Sequence, residues 1–294
     1  MPLDLNFIMI QLLAGLSRAM VLFLLSAGLS LIFGVMNILN FAHATFWLLG
    51  GYITYTVFES LGGEGMGTLA AAIAITSVGM FVLGCIIERV LIRRMYHREL
   101  PEQLLLTFAL VLILGDLIKL IWGTADRQIV LAIEPMEMLD TFVNPYYFVI
   151  IGIGVVAGLA MWGFFRFTRY GHIVRAAVYS RDMVNALGIP ISWIYAGVFG
   201  LGIGFAGFAA GVCLPLMPVA LGMDTDIIIQ CFAVVVIGGF GSIAGTFIAS
   251  IIVGTVYAFS ILIWPDGALA MIYLIVIAVL VFRPWGLLGT ELRT

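Results

Sequence analysis

Charge is what this 294-residue sequence has least of: only 10% of its residues are Asp, Glu, Lys or Arg, against about a quarter in a soluble domain. With 63% hydrophobic residues, there is too little polar side chain to cover a water-facing fold of this size, and a soluble fold is excluded. Lysine occurs once and the formal net charge is -3, so no basic surface for nucleic acid exists. Cysteine is scarce as well. Cys85, Cys213 and Cys231 are odd in number and lie in or beside apolar segments. That is no disulfide framework, and no Cys-x-x-Cys or Cys/His cluster suggests a metal. The three histidines form no His-Glu-x-x-His, and neither Gly-Lys-Ser/Thr nor Gly-x-Ser-x-Gly occurs. The chain therefore has no P-loop of its own and no nucleophile/base constellation of an enzyme. No basic stretch precedes the first apolar run, so that run is expected to stay as a span rather than leave as a signal peptide.

What is present in abundance is apolar sequence. Nine stretches stand out, at residues 7–33, 41–58, 69–87, 104–122, 145–165, 191–214, 227–237, 243–263 and 268–282. A helix needs about 20 residues to cross the hydrocarbon layer, so the expectation is an all-α polytopic membrane protein of eight to nine hydrophobic helices. One transmembrane domain fills residues 1–294, with the lipid bilayer as its surroundings. Residues 227–237 are short for a crossing and are expected to be tilted, extended or re-entrant. Ten of the thirteen basic residues fall in three places, 89–98, 166–181 and the tail with Arg283 and Arg293, whereas ten of the sixteen acids fall in the other loops. Arginine-rich loops face the cytoplasm. Parity then puts all three basic places on that side, the C-terminus with them and the N-terminus outside.

Several local patterns carry a functional reading beside a bland one. Gly202-x-Gly204-x-x-Gly207 matches a dinucleotide fingerprint but lies inside an apolar span, which makes it helix packing. Gly154/Gly158, Gly200/Gly204 and Gly207/Gly211 are small-xxx-small pairs of the same kind. The cytoplasmic segment 166–190 contains an amphipathic stretch from Arg175 to Gly188, with Val178, Met183, Val184 and Leu187 as its apolar stripe and Pro190 beyond the stop. It either lies on lipid or docks into a groove of a cytoplasmic partner. Asn37, Asn40, Phe41 and His43 interrupt apolar sequence. They are either a capped helix junction or part of a translocation path or gate, because polar groups at that depth need protein or a wet cavity around them. Gly239, Gly241 and Ser242 break two apolar pieces on the cytoplasmic side, which a tight helical hairpin explains. Arg18, roughly eleven residues into the first span, costs about 3 kcal/mol to insert. It either snorkels or faces an outer vestibule where it attracts an anion such as a substrate carboxylate. Asp116 and Lys119 are spaced to pair with each other.

These residues carry a resemblance. GLSLIFGVMNILNFAHATFWLLGGY (28–52) resembles the first-helix/second-helix signature of the branched-chain amino acid ABC permeases, specifically their H-type subunit. YGHIVRAAVYSRDMVNALGI (170–189) resembles the family's cytoplasmic loop, a degenerate Glu-Ala-Ala loop, while VIGGFGSIAGT (236–246) and RPWGLLG (283–289) resemble its late glycine turn and tail. Glu88-Arg89 is similar to the end of its third helix. The resemblance implies the ABC importer permease fold of the branched-chain amino acid/ribose permease superfamily, in a bacterial inner membrane. It further implies a second homologous permease subunit, two cytoplasmic ATPase subunits that hold the ATP and Mg, and a periplasmic substrate-binding protein. No cofactor would be bound by this chain itself, and the chain would be no enzyme. Arg175, Ala176, Ala177, Asp182, Leu187 and Gly188 would couple it to the ATPases. Asn37, Asn40, Phe41, His43, Gly239, Gly241 and Ser242 would belong to the path or gate. The cargo would be a branched-chain amino acid or a related small amino acid, carboxylate or amide. Two departures bear on it: Ala44-Thr45 follow the histidine where the family has Gly-Glu or another Gly-x pair, and Leu22-Phe23-Leu24 stand where relatives commonly read Tyr-Ala-Leu. The alternative is a stand-alone secondary transporter or channel, which would need paired buried carboxylates or broken helices around a cation.

Overall fold

The computed structural model describes residues 5–96, 98–138 and 141–289. It is helical almost throughout, as the composition requires. The helices are α1 Leu5–Met36, α2 His43–Ser60, α3 Gly65–Val90, α4 Leu100–Trp122, α5 Tyr146–Phe167, α6 Arg169–Tyr179, α7 Arg181–Ala186, α8 Ile191–Cys213, α9 Met223–Gly238, α10 Ile243–Ile263 and α11 Ala268–Phe282. Among the described residues, seven helical segments are long and apolar enough to cross a membrane: α1, α3, α4, α5, α8, α10 and Pro265–Phe282. The expected eight to nine hydrophobic helices include two that behave differently. The 16 residues of α9 span only about 24 Å at 1.5 Å per residue, between Gly222 and Gly239, whose φ angles of 92° and 93° suit glycine. The other is α2, which starts beside the middle of α1 rather than at its end. His43 Nε2 lies 2.9 Å from the Leu25 carbonyl oxygen, and Leu25 sits well inside α1.

The bundle is held by close backbone approach around α8. A Cβ on Gly28 of α1 would stand 2.6 Å from the Gly202 carbonyl oxygen, one on Gly50 of α2 2.6 Å from Gly207 Cα, and one on Gly84 of α3 2.9 Å from Gly200 Cα. The glycines of the dinucleotide-like pattern thus meet different helices, as membrane packing by small residues predicts. Gly154 and Gly158 of α5 seat Met20 and Phe23 of α1 in the same way. Between α4 and α5 the polar connection forms an antiparallel hairpin of β1 Met136–Met138 and β2 Thr141–Val143, which apolar periodicity did not indicate.

The ends of the bundle are distinguishable. At one end Arg93 donates to the Ser192 carbonyl at 3.1 Å, joining the close of α3 to the start of α8. Tyr170 of α6 donates to the Ile194 carbonyl at 3.0 Å, and the tail returns as Leu287 N–H donates to the Ile237 carbonyl at 2.7 Å. At the other end Trp122 Nε1 donates to Thr56 Oγ1 at 2.7 Å, Tyr146 Oη donates to the Val212 carbonyl at 2.9 Å, and Arg127 pairs with Val219. The basic segments 89–98 and 166–181 and Arg283 therefore share one end, as the parity of the spans requires. Arg293 and Asp140 lie outside the described residues.

Candidate translocation site and coupling surface

In the half of the bundle away from the arginine end, α1, α2, α5, α8, α9 and α10 leave a cavity of about 300 Å³. Arg18 and Ser17 line it from α1, Trp47 from α2, Tyr147 from α5, Gln230 from α9 and Tyr257 from α10. Arg18 does not run out to the surface. Its Nη2 donates to Gln230 Oε1 at 2.8 Å, and its guanidinium carbon stands 3.8 Å from the Tyr257 ring centroid. Arg18 Nε is buried with no hydrogen-bond partner, and so is Nε1 of the fully buried Trp47. Asp116 and Lys119 are both exposed on α4, and the ion pairs among the described residues are Glu88–Arg93 and Arg98–Glu102.

Two of the cavity's walls lead to the polar interruption after α1. Leu25, which lines the cavity, receives His43 on its carbonyl. Phe41 stacks on Phe232 of α9 at 5.0 Å. Asn37, in a left-handed backbone at φ 56°, and Phe41 are exposed, whereas Asn40 and His43 are fully buried. The glycine turn after α9 closes on the last turns of α1. Gly241 N–H donates to Ser30 Oγ at 3.1 Å, a Cβ on Gly34 would stand 2.5 Å from Gly241 Cα, and Phe33 and Phe240 stack at 4.2 Å. Gly239 packs against the tail at Trp285 and Gly289, and Ser242 caps α10 by accepting from Gly245 N–H at 3.1 Å. The structure thus packs the turn of Gly239, Gly241 and Ser242 on the last turns of α1 at Ser30 and Gly34, whereas His43 contacts Leu25 and Phe41 contacts Phe232.

The amphipathic segment forms two helices where one stretch was expected. It breaks at Ser180, whose hydroxyl accepts from Met183 N–H at 3.2 Å and so starts α7. The stripe also divides. Val174, Ala177 and Val184 are buried against the bundle, while Val178, Met183 and Leu187 are 52%, 67% and 73% exposed. Arg175, Ala176 and Gly188 are exposed beside them. Ala177 therefore faces the bundle and not outward with its neighbours. The backbone of Asp182 belongs to α7, and its side chain lies outside what the structure describes. Burial pushes the Tyr170 phenol up to about 12, consistent with α6 being anchored on α8.

Sequence reasoning missed two buried polar pairs. Thr45 donates to Asp224 Oδ2 at 2.6 Å. Glu88, fully buried, pairs with Arg93 at 3.2 Å and accepts from the Tyr96 hydroxyl, whose pKa is raised by burial first and then by that bond. Asp224 and Thr45 are 179 positions apart, and nothing local marks either as a partner.

The protein-family comparison agrees with this architecture. Residues 11–282 match the family model described as branched-chain amino acid transport system / permease component. The high-affinity branched-chain amino acid transport system permease protein BraD of Pseudomonas aeruginosa is 28% identical over 95% of each chain. LivH of Escherichia coli is 25% identical over 95% of this chain and 94% of its own, and the probable LivH of Methanocaldococcus jannaschii is 25% identical over 92% and 89%. No solved structure matches. With nearly its whole length covered by that model and a multi-pass helical bundle to go with it, the chain belongs to the family of branched-chain amino acid transport system permease components.

Proposed function

We propose that this chain is the membrane permease of an ATP-driven importer for a branched-chain amino acid or a related small amino acid, carboxylate or amide. The observation that carries the coupling is the α6–α7 unit. It is anchored to the bundle by buried Val174, Ala177 and Val184, and it holds Val178, Met183 and Leu187 out at the arginine end. Apolar side chains kept exposed by a capped, packed element suit a groove in a partner. The partners are two ATPase subunits below, a second permease beside this one and a delivering protein on the opposite side. ATP binding would close the ATPases and shift the permease between two conformations, and substrate would respond through its different affinity for each. In this reading the arginine end is cytoplasmic, the Arg18 cavity is the outer vestibule, and the segment 37–43 together with the turn at 239–242, which closes on α1 at Ser30 and Gly34, supplies the inner gate. The reading as a secondary transporter wants paired buried carboxylates. The buried acids among the described residues, Glu88 and Asp224, are each bound to other groups.

The test is to purify the full chain from its native membrane, identify co-purifying ATPases, and reconstitute uptake with ATP on the cytoplasmic side. ATP-dependent uptake is expected. Transport that persists without ATPases and follows an ion gradient would overturn the proposal.

A further inference from the structure

We infer that the cavity around Arg18 takes a small organic monocarboxylate that carries no ammonium group. The inference deepens the permease reading above and rests on it. Its ground is the imbalance of the walls. Arg18 is a donor-only group with five N–H bonds to place. One goes to Gln230 at 2.8 Å, and its Nε stays buried without an acceptor. Trp47 lines the same cavity, is fully buried, and has an indole N–H that likewise lacks a hydrogen-bond partner. Unsatisfied buried donors are costly, and a carboxylate is the acceptor that a guanidinium fork fits best.

The cavity holds no formal counter-charge for a cation, because no lining residue is acidic. Gln230 Oε1, an acceptor that an ammonium could use, is taken by Arg18. The Tyr257 ring face, a possible cation seat, is covered by Arg18 at 3.8 Å. An α-ammonium would enter beside a guanidinium with no counter-charge, and burying an unpaired charge is strongly unfavourable. The remaining wall, with Val21, Leu22 and Ile227, suits a short hydrocarbon chain. The volume of about 300 Å³ lies at the small end of ligand pockets.

Three isosteres decide the point. The full chain, purified with its co-expressed subunits and held in nanodiscs without nucleotide or delivering protein, is titrated calorimetrically. The titrants are 4-methylpentanoate, leucine and 3-methylbutylamine. The carboxylate is expected to bind, leucine to bind at least about tenfold more weakly, and the amine not at all. Arg18→Gln should abolish carboxylate binding, Arg18→Lys should keep part of it, and Trp47→Phe should weaken it. Leucine binding as tightly as 4-methylpentanoate would overturn the inference, as would undiminished binding in a folded Arg18→Gln variant or no binding of any of the three. The isostere series on the unaltered chain is decisive by itself, so the test holds even where a variant fails to fold. ATP-driven uptake by the same subunits reconstituted into proteoliposomes, with the delivering protein restored, checks the permease reading separately. If that uptake is intact while leucine is preferred in the titration, only the present inference fails.

Discussion

Thr45 donates to Asp224 at 2.6 Å, and both residues are buried. Each sits in the first turn of its helix, α2 and α9, so the bond ties together two helix N-termini. The carboxylate in the first turn of α9 also complements the positive end of that helix. Thr45→Val keeps the shape and removes the donor, leaving a buried acid with one partner fewer. A bond to a charged group of this kind contributes about 1.5–3 kcal/mol. Thr45→Val should therefore lower the midpoint of thermal unfolding in detergent, and Thr45→Ser should restore it. An unchanged midpoint in Thr45→Val would remove the pair from any structural account. The residue scale also shows what a sequence can display. Arg18 announces itself as a charge in an apolar run. Thr45 shows only as a departure from a familiar pattern. Trp47 and Gln230 carry no local signal, because their meaning comes from Arg18 on another helix. The cavity was therefore legible through one of its polar walls and hidden in the others.

At the scale of elements, α6 and α7 separate anchoring from exposure. Arg175→Glu and Leu187→Asp alter exposed positions, where substitutions usually change stability by about 0.5 kcal/mol or less. Both should leave the amount of folded protein in membranes unchanged while abolishing substrate-stimulated ATP hydrolysis. Ala177→Pro acts otherwise. Ala177 is buried inside α6, and proline in a helix interior costs about 3 kcal/mol or more, so both uptake and resistance of the segment to protease should fall. Normal hydrolysis in Leu187→Asp would argue that the exposed stripe meets lipid instead of a subunit. The amphipathic pattern located this segment and its stop at Gly188. It did not show the break at Ser180, where a single serine ends one helix with its backbone N–H and caps the next with its hydroxyl. The short α9 was visible as a weak span. The deep start of α2 was not, because it depends on His43 reaching a carbonyl of α1.

At the scale of the whole molecule, the arginine count and the helix ends make one claim together. Segments 89–98 and 166–181 and Arg283 meet at one end because successive helices alternate in direction, with α2 and α9 completing the alternation although neither is among the seven long apolar segments. The positive-inside rule then turns geometry into orientation. Cysteine labelling measures it. Cys213 and Cys231 are buried, so replacing Cys85 with serine leaves a quiet background. Glu64 is exposed in the turn between α2 and α3, and Arg94 is exposed between α3 and α4, at opposite ends of the bundle. A membrane-impermeant maleimide added to intact cells should label Glu64→Cys at once and Arg94→Cys only after the membrane is opened. The reverse pattern would invert the molecule, bringing the Arg18 cavity to the cytoplasmic side and α6–α7 out of reach of any ATPase. Labelling of both positions in intact cells would instead deny that α3 crosses the membrane, and the alternation on which the orientation depends would fail with it.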